Sequence, residues 1–226
     1  MSNYYSDRLN ANNLKRCYEI APPRVKQFLE AEINHVLSKI RPGDEILDLG
    51  CGYGRVAIRL AEKAKQVTGI DISKENIRLA RELFKKNSRL RFYEMDAITL
   101  TFPDDIFDIT LCVQNGISAF KVNPEQLVKE ALRVTKAGGT LLFSSYSEKF
   151  WEERLKWFQL QAEQGLIGEI DYDLTKNGVI VCKDGFRAIT YSGQRFLELV
   201  SLFKVEASIY EIDNSSVFCE MKKPRE

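Results

Sequence analysis

At 226 residues the chain is long enough to bury one hydrophobic core and short for two, so residues 1–226 are expected to form a single domain. Its 44% hydrophobic and 29% charged residues exclude a disordered or fibrous chain, and 33 basic against 32 acidic residues leave a net charge of +1, with no long-range attraction for a phosphate backbone. No window approaches the roughly 18 apolar residues of a membrane span and the first ten residues carry no apolar signal core, so no membrane partner and a cytoplasmic location are expected.

Pro22 and Pro23 open a segment in which Val25, Phe28, Leu29, Ile33, Val36, Leu37 and Ile40 share one helical face, and Arg41-Pro42-Gly43 stops it. The strand-like run 45–49 breaks into Gly50-Cys51-Gly52-Tyr53-Gly54, and a helix follows with Val56, Ala57, Leu60, Ala61 and Ala64 inward. Residues 66–70 read as a strand ending at Asp71, with Ser73 as N-cap of a helix that buries Ile77, Ala80, Leu83 and Phe84. Strands are predicted at 89–93 and 107–113, a helix over 124–134, and a glycine turn at 136–139 leading into a strand at 140–144.

Strands alternating with helices at this spacing need crossover connections, hence a parallel sheet covered on both faces, a doubly wound α/β fold. Beyond Ser145 the rhythm changes: a helix near 150–164 precedes two β-rich runs, 168–174 and 178–183, expected to pair through Thr175-Lys176-Asn177. Residues 147–185 thus read as a small α+β insertion acting as a lid. A helix over 194–203 and a closing antiparallel hairpin, 204–211 with 216–221 about Asp213-Asn214-Ser215, complete the chain.

A strand running into close-set glycines and then a helix offers backbone N–H groups and close approach at the carboxyl edge of a sheet. A nicotinamide dinucleotide site wants G-x-G-x-x-G, whereas here the glycines are 50, 52 and 54 and Arg55 takes the place of the third. Asp48 would repel a diphosphate but suits an ammonium or sulfonium charge. The string Asp48-Leu49-Gly50-Cys51-Gly52-Tyr53-Gly54 resembles motif I of the class I S-adenosylmethionine-dependent methyltransferases, small-molecule type.

Three further features carry the resemblance: Asp71 about twenty residues past Gly50, Asp96-Ala97 after the third strand, and residues 107–116 as the fourth strand and its loop. It implies a Rossmann-like, mostly parallel seven-stranded sheet and S-adenosylmethionine as cofactor. The cofactor-binding residues it implies are Asp48, Gly50, Cys51, Gly52, Gly54, Asp71 and Ile72, then Asp96, Ala97, Gln114 and Asn115. Asp71 would hold the ribose hydroxyls, and Asp96 with the Ala97 N–H the adenine. Singly, Asp71 and Asp96 fit a helix cap or turn equally well. Asp108, inside a strand, reads as structural.

By the same resemblance, residues 1–40 form an N-terminal cover segment and helix, with Tyr4, Tyr5 and Arg8 over the cofactor; a mobile tail is the alternative. Aromatic residues crowd the lid and its flanks, and Tyr5, Tyr146, Trp151 and Tyr191 are the substrate candidates, although core packing accounts for such aromatics too.

Methyl transfer from a sulfonium needs mainly alignment of acceptor, methyl and sulfur. The one histidine, His35, lies in a helix away from the strand ends, so no catalytic base is assigned, and a nitrogen, sulfur or stabilised-carbon acceptor is favoured over a hydroxyl. Cys17, Cys51, Cys112, Cys182 and Cys219 lack metal-site spacing, so no metal is expected. After the fourth strand stands Val113-Gln114-Asn115-Gly116, not the Asn-Pro-Pro-Tyr or Pro-Cys strings of base-modifying enzymes. A small-molecule acceptor is therefore preferred; the alternatives are RNA or another macromolecule as acceptor, or a non-catalytic S-adenosylmethionine-binding protein.

Overall fold

The computed structural model describes Tyr4, Leu9 and residues 11–225; Tyr5 and Arg8 lie outside these. Helices α1 (Ala11–Glu19) and α2 (Pro23–Lys39) lead into β1 (Glu45–Leu49), α3 (Arg55–Leu60), β2 (Gln66–Asp71), α4 (Lys74–Leu83) and β3 (Leu90–Glu94). Then come β4 (Phe107–Cys112), α5 (Gly116–Ala119), α6 (Pro124–Val134) and β5 (Thr135–Tyr146). A 3₁₀ turn (Glu148–Phe150), α7 (Trp151–Glu163), β6 (Val179–Val181), β7 (Arg187–Ile189), α8 (Gly193–Val200), β8 (Glu206–Ile212) and β9 (Ser216–Lys222) follow.

Seven strands form one sheet in the order β3-β2-β1-β4-β5-β9-β8; the first five are parallel, and β9 runs antiparallel between β5 and β8. Both faces are covered. Because side chains alternate along a strand, Ile46, Ile109 and Leu142 face a layer made by α2, α3 and α4, while Leu47, Cys112, Leu141 and Phe143 face α6 and α8. A third apolar cluster joins α1 and α2 to α7 and the β6–β7 hairpin through Cys17, Phe28, Trp157, Phe158 and Phe186. Since β1 pairs with both β2 and β4, the connections leave it in opposite directions and open a crevice at its carboxyl end.

Several boundaries differ from the sequence expectation. Helix α1 went unread because, besides Ala11, only Leu14, Cys17 and Tyr18 are apolar in it, although these share one face at helical spacing. Leu83 is 45% exposed rather than buried. The glycine turn does not precede β5 but lies inside it: Thr135 already pairs with Phe107, a bulge follows, and Thr140 resumes opposite Ile109. The buried Thr135 hydroxyl, bonded to Thr110 at 2.7 Å, anchors that early start.

In the insertion, β6 pairs with β7, not with residues 168–174. The Asp171 Oδ1 accepts from the N–H groups of Asp173 (3.1 Å) and Leu174 (3.2 Å) and curls that run into a turn, leaving one bridge, Ile170 to Cys182. Gly185, at φ +93°, supplies the turn that joins the true partners. The closing hairpin forms as expected about Asp213 and Asn214, both at positive φ, the conformation of a type I′ turn.

Gly54 shows what the first crossover demands. Its φ is +85°, and an added Cβ would lie 2.8 Å from the Phe92 ring and 3.0 Å from Phe84. Gly54→Ala is expected to cost about 2–4 kcal/mol in urea unfolding, from a left-handed L-residue plus overpacking. Gly43→Ala, with open space around it, should stay within about 0.5 kcal/mol of the parent.

Candidate active site

The carboxyl ends of β1, β2 and β4 open into a cavity of about 610 Å³. Of the residues singled out from sequence, Asp48, Gly50, Cys51, Gly52, Asp71, Ile72, Asp96, Ala97, Gln114, Asn115 and Tyr146 line it. Gly54 does not; it packs the bend against the sheet. Gly50 and Gly52 hold φ values of +72° and +55°, and a Cβ on Gly50 would come within 2.4 Å of the Phe120 ring. Gly69 in β2 plays a matching part, since a Cβ there would meet the Cys51 sulfur at 2.7 Å.

Asp71 ties this bend to the next crossover. Its Oδ2 accepts from the Gly52 N–H at 3.0 Å, and its Oδ1 accepts from the Ser73 N–H at 2.8 Å and the Asn76 amide at 3.3 Å. Burial raises its pKa against these three bonds. Asp96 accepts from the Ile98 N–H at 3.1 Å and lies exposed at the cavity rim beside Ala97.

Asp48 is only 3% exposed, and among the described residues its Oδ2 has no hydrogen-bond partner. Burial pushes its pKa up to about 7; the nearby Arg55 opposes the rise and Asp71 adds to it. An orphaned carboxylate oxygen facing a cavity is a receptor for a cation.

Gln114 and Asn115 both sit at positive φ, +57° and +66°, costly for residues with side chains. The Gln114 N–H donates to Glu32 at 2.9 Å and to the Ser144 hydroxyl at 2.8 Å, and the Ser145 hydroxyl donates to Asn115 Oδ1 at 2.6 Å. Glu32 also accepts from the hydroxyls of Ser144, at 2.9 Å, and Ser216. Fully buried in α2, it is pushed to a pKa of about 7 by desolvation against those bonds. Sequence reasoning passed over Glu32, yet an acid four residues after Phe28 on an apolar helical face was the available signal. Arg55 was read only as a missing glycine. Its guanidinium stacks 4.1 Å from the Tyr18 ring centre and donates to Gln114 Oε1, bridging the β1 and β4 loops.

The cavity is roofed by α1 and the insertion. Trp157 Nε1 donates to the Cys17 carbonyl at 2.9 Å, and the Ala11 N–H donates to Asn76 Oδ1 at 2.6 Å. Tyr4 donates to Asp184 Oδ2 at 2.6 Å and packs edge-on to Phe186. Tyr18, Trp157, Phe158, Gln161 and Phe186 join the lining. Two substrate candidates fall elsewhere. Tyr191 is in the core against Phe196, its N–H held by Ser145 at 2.8 Å, and Trp151 packs against the lid cluster without lining the cavity. Tyr5 lies outside the described residues. His35 is distant, with Nε2 2.9 Å from the Tyr210 hydroxyl.

A family profile described as methyltransferase domain matches residues 46–139. Over 151 residues the chain is 34% identical to a 2-methyl-6-phytyl-1,4-hydroquinone methyltransferase of Synechocystis, a match covering 58% of this chain and 46% of that protein. It is 31% identical over 114 residues to a ubiquinone biosynthesis O-methyltransferase of Idiomarina loihiensis, covering 48% and 46% respectively. The chain thus spans about half the length of these curated relatives. A S-adenosylmethionine-dependent methyltransferase structure from Methanosarcina mazei superposes with a TM-score of 0.63 at 24% identity, covering 84% of this chain and 97% of that one, and shares the fold. No helix among the described residues is long and apolar enough to cross a membrane. Residues 46–139 thus match a methyltransferase domain, and the chain is similar in sequence to methyltransferases and in fold to an S-adenosylmethionine-dependent one.

Proposed function

We propose that this chain transfers a methyl group from S-adenosylmethionine to a small organic acceptor. The observation that carries the reading is the convergence of Asp48, Asp71 and Asp96 with the open glycine bend on one cavity. In this reading Asp71 receives the ribose hydroxyls, Asp96 and the Ala97 N–H the adenine, and Asp48 the positively charged end of the donor. Gly50, Cys51, Gly52, Ile72, Gln114 and Asn115 shape the surface against which it lies, with Gly54 holding the bend in place.

When bound, the cofactor supplies an electrophilic methyl on a sulfonium. The residues of this chain would hold the acceptor in line with it and keep water out. Tyr18, Tyr146, Trp157 and Phe158 line the cavity with aromatic rings, which suits an aromatic or apolar acceptor and is in keeping with relatives named for a hydroquinone and for ubiquinone biosynthesis. Residues 1–40 would act as cover and 147–185 as a lid over it, all within one domain. Turnover of S-adenosylmethionine with a panel of quinol, amine and thiol acceptors tests the activity; no methylated product from any small acceptor would move the reading to a macromolecular acceptor or to binding alone.

Asp71→Ala is expected to weaken S-adenosylhomocysteine binding in calorimetry by about 1–3 kcal/mol, through lost charge-assisted bonds. Unchanged affinity would place the ribose elsewhere.

Asp48 gives a pH signature. Held near 7, it must lose its proton to meet a cation, so between pH 5.5 and 7 affinity for S-adenosylhomocysteine should rise by up to about tenfold with proton release. Asp48→Asn should abolish that rise. A carboxyl whose folded pKa exceeds its unfolded one stabilises the fold below the unfolded value and loses that contribution as pH climbs through about 7. Asp48→Asn should therefore melt above the parent at pH 8, with the gap closing toward pH 5.

A further inference from the structure

The roof of the cavity is an aromatic wall. Ring centres of Tyr18 and Trp157 lie 6.0 Å apart, those of Trp157 and Phe158 5.7 Å, and those of Phe158 and Phe186 5.8 Å. All four residues line the cavity. The indole N–H of Trp157 is spent on the Cys17 carbonyl at 2.9 Å, a bond that also fixes α7 against α1.

Gln161 interrupts this wall. It follows Trp157 by four residues and Phe158 by three, so the three share one face of α7. The residue is 3% exposed and lines the cavity. Among the described residues its amide makes no hydrogen bond, yet neither Oε1 nor Nε2 is sealed from solvent; at a residue so enclosed, the opening they meet is the cavity. An apolar side chain would complete the wall without an unmet polar group, so packing does not account for the amide.

A primary amide is neutral and offers one acceptor oxygen and two donor hydrogens. It gives an ionic partner no counter-charge within a wall of rings, and a plain hydrocarbon would bury it without a partner. A hydroxyl can use either end of it, donating to Oε1 or accepting from Nε2, whereas a carbonyl can use Nε2 alone. We propose that Gln161 is a specificity-determining residue that hydrogen-bonds a ring hydroxyl of an aromatic acceptor packed against this wall. The inference rests on the small-acceptor reading above and names its substrate class, a phenol or hydroquinone. The part of Gln161 is recognition, and no proton moves to or from its amide.

Calorimetry on the full chain saturated with S-adenosylhomocysteine tests this with methylhydroquinone and toluene, which differ only in the hydroxyls, and with benzoate and benzylamine as charged rings. The parent should bind methylhydroquinone at least about tenfold more tightly than toluene or either charged ring. Gln161→Leu should weaken methylhydroquinone at least about tenfold and hold toluene within about twofold. Gln161→Met, unbranched like glutamine, guards against misfolding of the leucine variant and should do the same. S-adenosylhomocysteine affinity should stay within about twofold in both, whereas a merely structural part for Gln161 would lower every affinity together.

Methylhydroquinone binding that survives both substitutions, or a parent that prefers benzoate or benzylamine, overturns the inference and leaves methyl transfer to a small acceptor standing. If the parent binds none of these rings yet methylates another small acceptor, the inference falls alone. If it methylates no small acceptor, both fall.

Discussion

The arrangement depends on a bend with no room for a side chain at two of its positions. Between β1 and α3 the backbone passes through positive φ at Gly50, Gly52 and Gly54, with Gly50 pressed against Phe120 and Gly54 against Phe92 and Phe84. That close passage turns a buried parallel strand into a helix within a few residues, and it brings the Gly52 N–H onto the Asp71 carboxylate at the end of the neighbouring strand. The edges of β1 and β2 are thereby locked to each other before any ligand arrives. Their acidic ends share one wall because parallel strands all finish at the same edge of a sheet.

Electrostatics at this edge work against the fold. Burial raises the pKa of Asp48, Asp71 and Glu32 alike, and Asp48 keeps an oxygen with no protein donor among the described residues. The β4 loop adds backbone strain at Gln114 and Asn115, restrained by Glu32, Ser144 and Ser145. Unmet polar groups and strained loops concentrated in one crevice are the usual mark of a surface shaped for a ligand rather than for stability.

The sheet was legible because its signals are local. Glycine spacing, the aspartate that ends β2, and the helical periodicity of α2 and α6 are each read within a single element, and the strands they bracket appear where expected, apart from the early start of β5. The lid was not, because two runs with similar β propensity flank β6, and the choice between them was made by the Asp171 turn and by Gly185. Tyr191 and Trp151 carried the same aromatic signal as Tyr146. Which of them reaches the cavity depends on contacts far apart in sequence, such as Ser145 holding the Tyr191 N–H. The roles of Arg55 and Glu32 were unread for a related reason: their partners lie on the β4 loop, β5 and β9, far off in sequence.

The indole of Trp157 and the carbonyl of Cys17 lie 140 positions apart in the chain, yet their bond closes the roof over the crevice. A contact of such span closes a long loop, and it is the assembled sheet between that brings its two ends within reach. Helix α1 belongs to no ladder of the sheet and is held instead by the Trp157 and Asn76 bonds and by the third apolar cluster. The wall of the crevice and its roof therefore rest on different kinds of contact: backbone ladders below, side-chain bonds and apolar packing above.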